Sequence, residues 1–171
     1  MKLTKADREL ISMCGDAITN SLARPPRMAE VGCRSAEIAA TLMAEFPRLH
    51  VDLCGDWNNF AELPWVEQQH WSGLYDRAMS RTDRTPARRR MYKCYPSVAR
   101  SLIAQYSVAA CCFSDAVVTC GWEGWYSLVE PSGVMCGVRS TLTDASIEEW
   151  SKRCRVPVLF TQWTWWAGKP R

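Results

Sequence analysis

Histidine is almost missing from this chain of 171 residues, which contains only His50 and His70. No two cysteines have CxxC spacing, so the chain has no recognisable pattern of zinc ligands and we expect no structural metal. The longest apolar stretches, 107–113 and 156–160, are far shorter than the roughly 20 residues of a membrane-spanning helix. The N-terminus shows no secretory signal. We therefore expect a cytoplasmic protein without a membrane partner.

Charge and cysteine content restrict the class of protein further. The net charge of +3 is too small to indicate a nucleic-acid partner by itself. Basic residues concentrate between Arg81 and Lys93, which keeps nucleic acid as an alternative partner, but little aromatic interleaving occurs there and we interpret the stretch as a solvated loop. The nine cysteines include the adjacent Cys111 and Cys112 and lie mostly in apolar stretches, so we expect reduced, buried thiols rather than disulfides.

Helical and strand periodicities alternate along the chain. They predict helices at about 4–22, 35–46, 64–79, 96–105, 121–130 and 144–153, and strands at about 28–31, 49–54, 91–95, 107–113, 133–138, 156–160 and 163–166. This alternation is typical of a mostly parallel sheet that helices cover on both faces. The last two strands are joined by a link too short for a helix, so they must be antiparallel. We predict one three-layer α/β domain over 1–171, with 58–90 as a lid or insertion.

Four motifs follow one another in this pattern. They are Glu30-Val31-Gly32-Cys33-Arg34-Ser35-Ala36, Val51-Asp52-Leu53-Cys54-Gly55-Asp56-Trp57, Val129-Glu130-Pro131-Ser132-Gly133-Val134 and Trp165-Trp166-Ala167-Gly168-Lys169-Pro170. In order and spacing they resemble the motifs of class I S-adenosylmethionine (SAM)-dependent methyltransferases of the short bacterial and phage type, over about 27–170. The resemblance implies a Rossmann-like methyltransferase sheet, mostly parallel with a C-terminal antiparallel hairpin, and SAM as the cofactor.

The physics of a cofactor site agrees with this resemblance. A ligand across the carboxyl ends of two parallel strands needs a close backbone approach at the first loop and an acceptor at the second. Gly32 offers the approach, and Asp56, next to Trp57, is placed to accept hydrogen bonds from both ribose hydroxyls. The resemblance places the rest of the first loop at the amino-acid end of SAM, namely Glu30, Cys33, Arg34 and Ser35. The alternative is a plain βαβ turn without a ligand.

The adenine and acceptor sides depart from the family pattern. Pro96 replaces an acidic residue, although Ser97 can still bond to the base and Tyr95 can stack on it; a helix cap beside a core tyrosine is the alternative. After the fourth strand, Ser114 and Asp115 stand where relatives carry Asp-x-Asp-His. Asp115 is then the one candidate catalytic acid there, or else a cap of the following turn.

These departures remove metal ligands but not the basis for methyl transfer, which mainly requires positioning. The sequence therefore predicts a SAM-binding methyltransferase that acts without a metal on a small-molecule or unidentified acceptor. Tyr126 is a further candidate for contact with the acceptor, whereas the helical spacing of Trp122 and Trp125 favours core packing. The alternatives are a methyltransferase-like pseudoenzyme that serves as a binding or assembly protein, and a SAM-degrading enzyme. The sequence also leaves open whether the chain forms a homo-oligomer.

Overall fold

The computed structural model describes residues 3–33, 35–55, 65–83, 88–115 and 121–170, with the backbone alone at 65–72. In chain order the elements are α1 (Lys5–Thr19), β1 (Arg27–Val31), α2 (Glu37–Glu45), β2 (His50–Gly55), α3 (Trp65–Thr82), β3 (Arg89–Lys93), α4 (Pro96–Ile103), β4 (Val108–Phe113), α5 (Trp122–Leu128), β5 (Val129–Val138), α6 (Thr141–Cys154), β6 (Leu159–Phe160) and β7 (Thr164–Gly168). None of the helices in these ranges is both long and apolar enough to cross a membrane.

The seven strands form one sheet in the order β3-β2-β1-β4-β5-β7-β6. Neighbouring strands from β3 to β5 run parallel, while β7 is antiparallel to both β5 and β6. The predicted α/β sheet with an antiparallel C-terminal hairpin is therefore confirmed.

Helices cover both faces of the sheet and produce two hydrophobic cores. The first core packs the sheet against α1, α2 and α3, and the second packs it against α4, α5 and α6. Alternate residues of a strand point to opposite faces, so Trp165 lies in the second core while Trp166 packs against the first. Trp122 and Trp125 are buried in the second core, as their spacing predicts.

The cysteines belong mainly to these cores. All eight cysteines among the described residues are free, and six of them are buried. The expectation that most cysteines are buried is thus confirmed for this part of the chain.

The strand β5 starts earlier than the sequence predicts. The helix expected at 121–130 ends at Leu128, and β5 begins directly at Val129. Ser132 has a left-handed backbone (φ 67°), and the β4–β5 register shifts at this point. A Cβ on Gly133 would lie only 2.6 Å from the Ala109 carbonyl oxygen. The turn-like Pro131-Ser132-Gly133 sequence therefore forms an irregularity within a strand rather than a loop before it.

The described part of the basic stretch belongs largely to a helix and a strand. Instead of a solvated loop up to position 90 and a strand at 91–95, α3 continues to Thr82 and β3 spans Arg89–Lys93. Arg89 donates to the Met79 carbonyl at 2.7 Å and to Thr82 Oγ1 at 2.6 Å. Because β3 is an edge strand, its basic composition suits a position exposed on one side. The assignment of 58–90 to a lid or insertion stays a prediction.

Candidate functional site

A cleft of about 450 Å³ opens at the carboxyl edge of the sheet. The chain moves outward from β1 to β3 and then returns to place β4 on the other side of β1, so the strand order reverses between β1 and β4. Open α/β sheets bind ligands at such switch points. The cleft is lined by the ends of β1, β4 and β5 and by the first turns of α1 and α2, through Thr4, Asp7, Glu30, Ser35, Glu37, Ser114, Asp115 and Val138 among others.

Glu30 is the most deeply placed carboxyl group of the cleft. Its side chain lies near the end of β1 and is only 2% exposed. Oε2 accepts a hydrogen bond of 3.0 Å from the Ala39 N–H in the first turns of α2. Burial raises the pKa of Glu30 from 4.5 to about 7, although the contacts with Ser114 and the Ala39 N–H oppose this rise. Glu30 is therefore an acid that titrates near neutral pH, and a nearby cation would favour its carboxylate form.

Two residues between β1 and α2 have a left-handed backbone. Gly32 has φ 72°, and Ala36, which replaces a glycine of the family motif, also has a left-handed backbone at φ 54°. Ala36 is fully buried, so its small side chain fits here despite the unfavourable backbone region. The Cys33 N–H donates to the Cys54 carbonyl at 3.1 Å, and its thiol is buried in the first core. The Cys33 thiol itself therefore does not face the cleft.

Ser35 is braced by a small polar network. Its hydroxyl donates to Glu37 Oε1 at 2.5 Å, and Arg81 from the end of α3 donates to the Ser35 carbonyl at 2.8 Å and forms an ion pair with Glu37. Burial by itself would raise the pKa of Glu37, but the Ser35 hydroxyl and the Arg81 guanidinium hold it below its ordinary value. Arg81 thus fixes the loop between β1 and α2 rather than belonging to a solvated loop.

Ser114 and Asp115 line the opposite side of the cleft, directly after β4. The Ser114 N–H donates to the Val31 carbonyl at 3.0 Å, which holds this turn beside the end of β1. The Ser114 Oγ is buried and makes no hydrogen bond within the described residues, although it is near enough to Glu30 to lower the pKa of that carboxyl group. The structure therefore brings Glu30, Ser35, Ser114 and Asp115 together at one cleft, and their roles in binding and catalysis stay predictions.

Other residues predicted for the site lie elsewhere or outside the described ranges. Tyr95 precedes α4 and is 57% exposed, and Ser97 is exposed in the first turn of α4; both stand beyond the end of β3 and do not line the cleft. Arg34, Asp56 and Trp57 fall outside the described residues, although β2 ends at Gly55 beside the end of β1.

The suggestion that Tyr126 contacts an acceptor is wrong. Its hydroxyl donates to the Gly168 carbonyl at 2.9 Å, and Gly168 pairs with Val134 near the amino end of β5. Tyr126 therefore lies towards the opposite edge of the sheet from the cleft. Its helix was correctly expected, but periodicity does not show which end of the sheet a helical residue faces.

Sequence reasoning also missed residues that line the cleft. Thr4 and Asp7 form a capping box at the start of α1: the Thr4 N–H donates to Asp7 Oδ2 at 2.7 Å, and the Asp7 N–H donates to Thr4 Oγ1 at 3.0 Å. The same two residues line the cleft, as does Glu37. The capping pattern was visible in the sequence, whereas the packing of α1 against β4 and β5 was not.

The strand order and the terminal antiparallel hairpin match the Rossmann-like fold of solved methyltransferase structures. The sequence matches no protein-family model, and comparison with curated proteins finds no match. Solved structures with this fold are nevertheless similar over almost the whole chain.

Three of these structures illustrate the likeness. A precorrin-6Y C5,15-methyltransferase of Geobacter metallireducens is similar with a TM-score of 0.68 at 9% identity, over 100% of this chain and 90% of the other. A SAM-dependent O-methyltransferase of Thermotoga maritima has a TM-score of 0.58 at 14% identity, over 100% and 67%. Human methyltransferase-like protein 13, in complex with SAH, has a TM-score of 0.58 at 11% identity, over 97% and 79%. At these identities the likeness establishes the fold.

Proposed function

We propose that this protein is a SAM-dependent methyltransferase that binds SAM in the cleft between the ends of β1 and β4. The observation that carries this proposal is the position of the cleft at the reversal of strand order, with Glu30 on one side and Ser114 and Asp115 on the other. Open α/β sheets bind their ligands at this position. The fold neighbours that are methyltransferases add support by analogy.

The residues of the cleft suit the chemistry of SAM. SAM carries positive charge on its sulfonium and amino groups, and the lining includes the carboxyl groups of Asp7, Glu30, Glu37 and Asp115. Asp7 and Glu37 also stabilise the local structure through Thr4, Ser35 and Arg81. Burial raises the pKa of Glu30, and a bound cation would lower that pKa again by stabilising the carboxylate form. When bound, SAM would supply an activated methyl group.

We assign the residues of the chain to parts of this ligand. Gly32, Cys33, Arg34 and Ser35 form the loop at the amino-acid end together with Glu30, and Asp56 accepts the ribose hydroxyls beside Trp57. Tyr95, just before α4, and Ser97, in the first turn of α4, contact the adenine. Ser114 and Asp115 face the transferred methyl group, where Asp115 positions a small-molecule acceptor or accepts its proton. The chain's task is orientation and exclusion of water.

Replacement of Asp56 by alanine should weaken SAM binding by about 1.5 to 3 kcal/mol, because two ribose hydroxyls lose a charged acceptor. Isothermal titration calorimetry of the full chain with SAM measures this loss. Glu45→Ala is a matched control, since Glu45 is an exposed carboxylate at the end of α2 and remote from the cleft lining. Equal affinity for Asp56→Ala and Glu45→Ala would remove Asp56 from the site, and the absence of SAM binding by the unmodified chain would refute the proposed function.

Methyl transfer by this chain should be indifferent to divalent metal ions. Magnesium requires several oxygen ligands in near-octahedral geometry. Within the described residues, the one group of three potential ligands that converge on a point consists of cysteines and not of carboxylates. An assay over candidate small-molecule acceptors, with and without EDTA, should give equal turnover. Turnover that disappears with EDTA and returns with magnesium would contradict this expectation.

A further inference from the structure

Three cysteines meet below the cleft, on the face of the sheet that α1 covers. They are Cys14 of α1, Cys112 of β4 and Cys136 of β5, and their Sγ atoms all lie within 4.8 Å of one another. The Cys14 and Cys136 Sγ atoms are 3.6 Å apart, although 122 residues separate them in the chain. Cys112 and Cys136 are direct partners in the β4–β5 register. All three side chains are fully buried in the first core.

We propose that Cys14, Cys112 and Cys136 form a three-thiol binding site for a thiophilic centre that takes three sulfur ligands. A bond of about 2.3 Å from sulfur to the centre places the sulfur atoms about 3.4 Å apart around a pyramidal three-coordinate centre and about 4 Å apart around a planar one. The Cys14–Cys136 separation of 3.6 Å lies between these distances, and no pair of the three Sγ atoms is more than 4.8 Å apart. Soft centres prefer sulfur ligands, and the three side chains that converge here are all thiols. This site goes beyond the proposed methyltransferase function and does not depend on it.

The charge balance of the core selects the class of ligand. Three thiolates around a monovalent or divalent cation would leave net negative charge in an apolar core, which is costly. Glu30 is the direct partner of Cys112 in the β1–β4 register and adds to this cost whenever it is ionised. Three thiolates around a trivalent centre give a neutral complex. The cluster therefore suits a trivalent metalloid such as the arsenic of arsenous acid.

The binding reaction needs no oxidant or reductant. Arsenous acid, As(OH)3, exchanges its three As–O bonds for three As–S bonds, one to each cysteine. Each thiol proton leaves with one hydroxide as water, so three water molecules are released and arsenic remains trivalent. The product links α1 covalently to β4 and β5.

The thiols lie next to the residues that line the cleft. Cys112 and Cys136 lie two residues before Ser114 and Val138, so each cysteine shares a strand face with a residue of the cleft lining. Cys14 follows Asp7 by seven residues, which places both on one face of α1. The cluster therefore lies one layer of side chains below the cleft, roughly 6 to 7 Å along the strands.

The test uses the reduced full-length protein and arsenite, in a phosphine reductant because thiol reductants would compete for arsenic. Native mass spectrometry should show one bound arsenic with the loss of three protons. X-ray absorption at the arsenic edge should show three sulfur neighbours and no oxygen neighbour. Arsenic bound through oxygen, or through only two sulfur atoms, would overturn the proposal, as would the absence of binding. This measurement needs no variant and so does not depend on whether a core substitution folds.

Variants then identify the ligands. Cys112→Ala should weaken arsenite binding by at least the order of 100-fold, because loss of even an outer-shell partner costs about 10- to 100-fold. Cys111→Ala is the matched control: Cys111 is the next residue in the same strand and is equally buried, but it points into the second core. Circular dichroism checks that both variants fold. Equal arsenite affinity of the two folded variants would place the arsenic at other cysteines and overturn the proposal.

Discussion

Deletion of residues 161–171 should abolish folding of the chain into a soluble protein. These residues include β7, which pairs with β5 on one side and β6 on the other, so the deletion would expose the edge of β5 and leave β6 without a partner. It also removes Trp165, which is fully buried and stacks edge-on against Trp122 with ring centroids 5.5 Å apart. Loss of a buried tryptophan side chain alone costs about 3 to 5 kcal/mol. A domain's whole stability is about 5 to 15 kcal/mol.

The soluble fraction after expression and the far-ultraviolet circular dichroism spectrum measure this effect. Truncation after Lys169 is the control, because it keeps β7 and the hydrogen bond from the Lys169 amino group to the Val129 carbonyl. A point substitution separates the strand from its side chain: Trp165→Ala should lose about 3 to 5 kcal/mol, and Trp163→Ala, at a partly exposed position, no more than about 1 kcal/mol. A soluble, folded deletion variant would show that the hairpin is dispensable.

Replacement of Glu30 by glutamine should change how the free energy of unfolding depends on pH. Burial raises the pKa of Glu30 from 4.5 to about 7, so between these values the folded protein holds a proton that the unfolded chain releases. The contribution of Glu30 to the free energy of unfolding is therefore fully present below about pH 4.5. It decreases as the pH rises and is lost at about pH 7. Each pH unit is worth about 1.4 kcal/mol, so the loss amounts to about 3 kcal/mol.

Urea denaturation at several pH values measures this contribution. The stability of the unmodified chain relative to Glu30→Gln should fall by about 3 kcal/mol between about pH 4.5 and pH 7, because glutamine keeps an acceptor for the Ala39 N–H but carries no titrating proton. Glu45→Gln, at an exposed position of α2, should leave the profile of the unmodified chain unchanged. A relative stability that stays level or rises with pH would show that Glu30 is ionised in the folded protein at neutral pH.

Much of the fold follows from local patterns along the chain. The alternation of helices and strands predicts the parallel sheet, and the short link before Thr164 forces an antiparallel hairpin. Errors concentrate where local signals conflict with the sheet. Pro131, Ser132 and Gly133 have turn chemistry, yet the hydrogen bond from the Ser132 N–H to the Lys169 carbonyl holds them at the end of β7. The sequence of β3 is polar like that of a loop. Among the described strands β3 pairs only with β2, so its other edge does not need apolar residues.

The site could be predicted in part for the same reason. Glu30, Ser114 and Asp115 end strands, and the ends of parallel strands meet at one edge of a sheet. Arg81 could not be assigned to this edge, because its partners Ser35 and Glu37 lie more than forty residues earlier in the chain. A contact across that distance leaves no periodic or capping signal in the sequence.

The sequence by itself determines the class of fold, the burial of most cysteines and the edge of the sheet where a ligand is expected. These properties depend on short-range periodicity, on composition and on the rule that strand ends share an edge. Only the tertiary structure decided that Glu30 is buried enough to titrate near neutral pH, and that Cys14, Cys112 and Cys136 meet below the cleft. Both features depend on how α1 and α2 pack on the sheet, and packing between distant segments is set by the whole core rather than by any local pattern.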